Sequence, residues 1–101
     1  MKSQKPNIVL ITSDQQRFDT VGAYGSVVRT PVLDQLAAEG SLFEYAFCNN
    51  PVCMPSRACM QTGRYTHQHG LRYMESAIHT TPGLPPWEVT FMERLQNADY
   101  R

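Results

Sequence analysis

In this 101-residue chain the residues best suited to chemistry stand together in Cys53-Met54-Pro55-Ser56-Arg57, continued by Ala58-Cys59-Met60-Gln61-Thr62-Gly63-Arg64. Pro55 cannot continue a strand but can begin a helix, so Ser56 to Thr62 reads as a short helix closed by Gly63, with Cys53 just before its N-terminus. A nucleophile placed there sits among backbone N–H groups and the positive end of the helix dipole, a setting suited to a sulfate or phosphate ester. Arg57, one turn on, brings a planar set of donors able to neutralise an alkoxide or a bound anion. The competing reading makes Cys53 an ordinary small buried residue.

A second candidate is Asp14. Residues Asn7 to Ser13 form a continuous, β-branched apolar run, which predicts a strand buried on both faces of a parallel sheet. Ligand sites in such sheets lie beyond the carboxyl ends of the strands, so an acid at that end is placed for chemistry or metal binding. The alternative for Asp14 is a cap or turn residue. His67 and His69 read as solvated loop residues or outer contacts to a substrate, and Arg17 and Arg64 as surface or supporting charges. The three cysteines, Cys48, Cys53 and Cys59, leave one over after any pairing, which argues against a disulfide framework. Zinc or redox chemistry is poorly served too, since there is no Cys-x-x-Cys pair and zinc would need a fourth ligand such as His67.

The elements that must position these groups follow from local signals. Asp19 to Val28 reads as a loop. Thr30 is a fitting N-cap and Pro31 a fitting first residue for a helix whose apolar face is Leu33, Leu36 and Ala37, packed on the sheet. Gly40 suits the left-handed residue that ends it. Leu42 to Phe47 predicts a second strand, broken by Asn49-Asn50-Pro51. Tyr65 to Pro86 reads as a long loop, and Val89, Phe91, Met92 and Leu95 restore helical spacing. Strand, helix, strand, short helix, loop and helix make an α/β chain, but two strands cannot build a two-sided parallel sheet. The sheet is expected to be incomplete.

Nine basic and nine acidic side chains cancel, and no Lys/Arg cluster is present, so neither nucleic acid nor an anionic membrane is the expected partner. The Ile8-Val9-Leu10-Ile11 run is too short for a secretory h-region or a membrane span, so the chain as it stands reads as cytoplasmic, unless a leader has been removed.

The stretch Cys53-x-Pro55-Ser56-Arg57 with its trailing Thr62-Gly63-Arg64 resembles the sulfatase family's Cys-x-Pro-Ser-Arg motif. Pro6-Asn7-Ile8-Val9-Leu10-Ile11 leading to Asp14 is similar to the family's opening strand. Gly22-Ala23-Tyr24-Gly25 is similar to the loop after it, and Thr30-Pro31-Val32-Leu33-Asp34-Gln35-Leu36-Ala37 to its first helix. The resemblance implies an alkaline-phosphatase-like α/β/α sandwich, with residues 1–101 as the N-terminal segment of its catalytic domain. It implies that Cys53 is oxidised to formylglycine by a formylglycine-generating or anaerobic maturating enzyme. The aldehyde hydrate would attack a sulfate ester, and its second hydroxyl would then expel sulfate. Arg57 would support that charge. It also implies a divalent cation, most often Ca2+, with Mn2+ or Mg2+ as alternatives, held by Asp14 and shared with position 53. The family's second Asp is replaced here by Gln15, whose amide oxygen can bind a hard cation without adding charge. That replacement is similar to phosphonate monoester hydrolases and choline-sulfatase-like members.

The family's remaining site residues, a Lys and a His in Gly-Lys-Trp-His and an Asp-Asn or Asp-His pair, match nothing in this sequence. The expectation is therefore a sulfuric ester hydrolase as the parent protein, with little or no turnover from the isolated chain and the remainder of the catalytic domain as its partner. The alternatives are a phosphonate or phosphate ester hydrolase on the same constellation, or an unmodified, non-catalytic fragment.

Overall fold

The computed structural model describes residues 5–72 and 83–101. The chain divides into two compact units, Met1–Glu44 and Tyr45–Arg101.

In the first unit the backbone runs extended through Asn7 to Ser13, then bends at Asp14 and Gln15. Two 3-10 turns follow, Phe18–Thr20 and Gly22–Tyr24, where the sequence predicted an irregular loop. The rings of Phe18 and Tyr24 meet edge to face with centroids 5.9 Å apart. Helix α1 spans Pro31–Glu39 with Thr30 at its N-cap, as the Thr-Pro signal predicts.

Thr30 does not cap in the usual way. Its hydroxyl oxygen accepts the Gly22 N–H at 2.7 Å and its O–H donates to Asp34 Oδ1 at 2.8 Å, while the Ala23 N–H donates to the same carboxylate oxygen at 2.8 Å. The start of α1 is thereby fastened to the second 3-10 turn. A Cβ at Gly22 would come within 2.5 Å of Asp34 Oδ2, so any larger residue here would have to push the carboxylate away from its bonds to Ala23 and Thr30. The Tyr24 hydroxyl donates to the Phe43 carbonyl at 2.8 Å, tying the same turn to the chain beyond α1. Gly40, expected in the left-handed region, has φ −116°. Its N–H still reaches the Leu36 carbonyl at 2.9 Å, and a Cβ here would stand 3.0 Å from that same backbone oxygen, so glycine suits this helix end through the space it leaves rather than through a left-handed φ.

In the second unit α2 spans Cys53–Thr62, α3 spans Thr66–His69 and α4 spans Phe91–Asn97, with α2 packed against both of the others. Thr90 caps α4 reciprocally. Its hydroxyl oxygen accepts the Glu93 N–H, and Glu93 Oε1 accepts the Thr90 N–H, each at 3.3 Å. Among the described residues the core is small: Pro55, Ala58, Cys59 and Leu71, with the polar residues His69 and Glu88 also buried.

The two predicted strands do not form a sheet. Among the described residues there is no strand: Asn7 to Ser13 is extended without a ladder, and Leu42 to Phe47 contains a turn at Glu44 and Tyr45. An extended segment becomes a strand only by pairing its N–H and C=O groups with another, and that pairing is not local. Ile8 and Ile11 accordingly remain 52% and 83% exposed. The apolar face of α1 is likewise left largely to solvent, with Leu33 and Leu36 exposed and Ala37 half-buried, rather than packed on a sheet. Tyr65 to Pro86 is not one continuous loop either, since α3 interrupts it; residues 73–82 lie outside the described part.

Candidate functional site

The chain reaches Cys53 through an Asx turn in which Asn50 Oδ1 accepts the Val52 N–H at 2.8 Å. Helix α2 then starts at Cys53 itself, three residues before the predicted start, with Val52 as N-cap. Its first intrahelical bond runs from the Ser56 N–H to the Val52 carbonyl at 2.9 Å. Pro55 fits inside this first turn because first-turn N–H groups have no partner in the helical ladder. Gly63 ends the helix in the left-handed region at φ 68°, and its N–H returns to the Cys59 carbonyl at 2.8 Å. Here the sequence expectation holds.

A turn of about 100° per residue divides α2 into two opposed faces. Pro55, Ala58 and Cys59 are its buried residues. Cys53, Arg57 and Met60 fall on the opposite side, and all three are exposed. Cys53 and Arg57, one turn apart, thus share the stripe that faces away from the core. Cys53 is exposed, and the buried thiol of this motif is Cys59. No cysteine of the three is in a disulfide.

Asp14 and Gln15 belong to the first unit and Cys53 and Arg57 to the second. Both Asp14 and Gln15 are exposed, and Gln15 takes φ 47°, a left-handed conformation uncommon outside glycine, asparagine and aspartate. A carboxylate and an amide side by side are hard oxygen donors of the kind that suits Ca2+ or Mg2+. Among the described residues, however, no group of three or more His, Cys, Asp and Glu side chains gathers around a metal position.

The supporting residues differ most from expectation. His67 is exposed and stacks on Tyr65 with ring centroids 5.6 Å apart, in keeping with a solvated residue. His69, read the same way from sequence, is instead buried at 2% exposure. It is buried because α3 turns it against α2, where Nε2 lies 3.4 Å from Cys59 Sγ and Nδ1 accepts the Leu71 N–H at 3.1 Å. Arg64 is paired at 2.6 Å with Glu88, a carboxylate that sequence reasoning did not single out. The signal available was an acidic residue directly after Pro-Pro-Trp and just before a helix start. Arg17, exposed and paired with Asp19, is the surface charge it was read to be.

The sulfatase family model matches residues 6–101, and the chain belongs to the sulfatase family. Among curated proteins it is 38% identical to N-acetylgalactosamine-6-sulfatase of Canis lupus familiaris, over 96% of this chain and 20% of that protein. It is 38% identical to steryl-sulfatase of Rattus norvegicus, over 94% of this chain and 18% of that protein. With arylsulfatase J of Mus musculus the identity is 37%, over 97% of this chain and 16% of that protein. The chain therefore spans about a fifth of the length of these relatives. No solved structure matches it. Membership implies the alkaline-phosphatase-like fold, of which the described residues contain helices and no strand. Among the described residues no helix is long and apolar enough to cross a membrane.

Proposed function

We propose that residues 1–101 are the N-terminal segment of the catalytic domain of a sulfuric ester hydrolase, with position 53 as its nucleophile. The observation that carries this reading is the placement of Cys53 and Arg57 on the exposed stripe of α2, opposite the face that anchors the helix. Oxidised to formylglycine, residue 53 would supply a hydrated aldehyde oxygen to attack sulfur. Arg57 neutralises charge on that oxygen or on the sulfate, and the helix N-terminus adds its positive potential. Asp14, with Gln15 beside it, would hold a divalent cation, Ca2+ by preference, supplying electrostatic stabilisation of the ester. Two oxygen-donor side chains hold calcium weakly, so the isolated chain has little or no turnover and depends on further ligands from the rest of the domain.

A second reading, a phosphonate monoester hydrolase, is favoured by one observation. Gln15 gives the cation site one negative charge fewer than an Asp would.

Peptide mass spectrometry across Cys53, on full-length protein produced with its maturation enzyme, tests the nucleophile. An aldehyde at residue 53 supports the proposal, and an unmodified thiol overturns it in favour of a non-catalytic protein. Turnover of an aryl sulfate against an aryl phosphonate by that matured protein then decides between the two ester classes.

A further inference from the structure

Helix α2 carries position 53 in its first turn, where Pro55 is buried, and side-chain bonds fasten its C-terminal half. Because His69 Nδ1 accepts the Leu71 N–H, it carries no proton; the proton therefore sits on Nε2, which donates to Cys59 Sγ at 3.4 Å. Past the helix end, Arg64 Nη1 pairs with Glu88 Oε1 at 2.6 Å, and Nη2 donates to the Gln68 carbonyl at 3.4 Å. The Cys59 and Arg64 bonds each join the C-terminal half of α2, or the residue after its cap, to a segment later in the chain.

The six residues from Cys59 back to Cys53 cover about 9 Å of helix, so a tilt of about 10° around the fastening point moves position 53 by about 1.6 Å. A misplacement on the order of 1 Å can cost about 100-fold in rate. We infer that His69 is a positioning residue: through its bond to Cys59 it fixes the direction in which α2 presents residue 53. This inference rests on the reading of residue 53 as the nucleophile.

The test uses the full-length, matured protein, with kcat expressed per formylglycine and measured on whichever of aryl sulfate and aryl phosphonate the wild type hydrolyses. His69→Gln keeps an amide N–H near the Nε2 position. His69→Asn places its amide near Nδ1 and leaves Cys59 without a donor, while Cys59→Ala deletes the acceptor with little change of volume. The expected result is a loss of roughly 10-fold or more in kcat for His69→Asn and Cys59→Ala, with KM within about twofold, and recovery of most of that loss in His69→Gln. Loss in His69→Gln as deep as in His69→Asn, or wild-type kcat in Cys59→Ala, overturns the inference. If His69→Asn yields no folded protein, Cys59→Ala decides alone. A wild type that hydrolyses neither ester overturns the nucleophile reading and this inference together, whereas an active wild type with indifferent variants overturns only the positioning role.

Discussion

Arg64 Nη1 stands 2.6 Å from Glu88 Oε1, joining a guanidinium that is 45% exposed to a carboxylate that is 3% exposed, across 24 positions of sequence. Such an asymmetric pair is more costly to break from one side than from the other. Removing Arg64 leaves a buried carboxylate without its cation, whereas removing Glu88 leaves an arginine that can turn to water. Breaking a fully buried pair costs about 3–5 kcal/mol, and the half-exposed arginine lowers that to about 2 kcal/mol for Arg64→Ala. Glu88→Gln should cost less. Thermal denaturation of the two variants of the full-length protein measures the difference, and equal losses would contradict the asymmetry.

Gly22→Ala should destabilise the first unit by about 2 kcal/mol, because its new Cβ displaces the Asp34 carboxylate that accepts from Ala23 and Thr30. Asp34→Ala removes the same bonds directly. Asp34→Ala removes the three atoms closest to the extra methyl, so the double variant should be less damaged than the sum of the singles. A double-mutant cycle read by denaturation checks this, and strict additivity would count against it.

Residue 53 separates two kinds of nucleophile. With Cys53→Ser, a single hydroxyl at the start of α2 can be sulfated, but it has no second hydroxyl to expel the group. The variant should show at most one turnover per active site and accumulate a sulfated peptide, visible by mass spectrometry. Sustained turnover by Cys53→Ser would remove the need for formylglycine.

Chelation should abolish ester hydrolysis by the full-length protein, and calcium should restore it and raise its thermal midpoint, as any ligand that binds only the folded state does. Asp14→Ala should weaken that calcium-dependent shift more than Gln15→Ala, since it removes a charge as well as an oxygen. Calorimetric scans over a calcium titration read both effects. An undiminished shift in Asp14→Ala would take Asp14 out of the metal site.

What the sequence made legible was what local chemistry decides. Thr30-Pro31, Gly63 and the spacing of Val89, Phe91, Met92 and Leu95 each act within a few residues, and the helices they predict are present, although the last begins at Phe91 and leaves Val89 outside it. The family motif located Cys53 and Arg57, and helical geometry explains why they share a face. What escaped depends on distant partners. Asn7 to Ser13 has the composition of a strand, but composition cannot supply the neighbour that would complete one. His69 looked solvated because its four-residue helix lies in polar sequence, and its burial depends on Cys59, ten residues earlier. Glu88 carries only a weak local signal, and its role depends on Arg64, 24 residues earlier.

The exposed, extended run Ile8-Val9-Leu10-Ile11 has a consequence for handling the protein. Four consecutive apolar residues, three of them β-branched, with no ladder among the described residues, are a template for pairing with the same run of another copy. Preparations of this chain by itself should cloud as concentration rises, and a charged residue placed at Val9 should keep them clear.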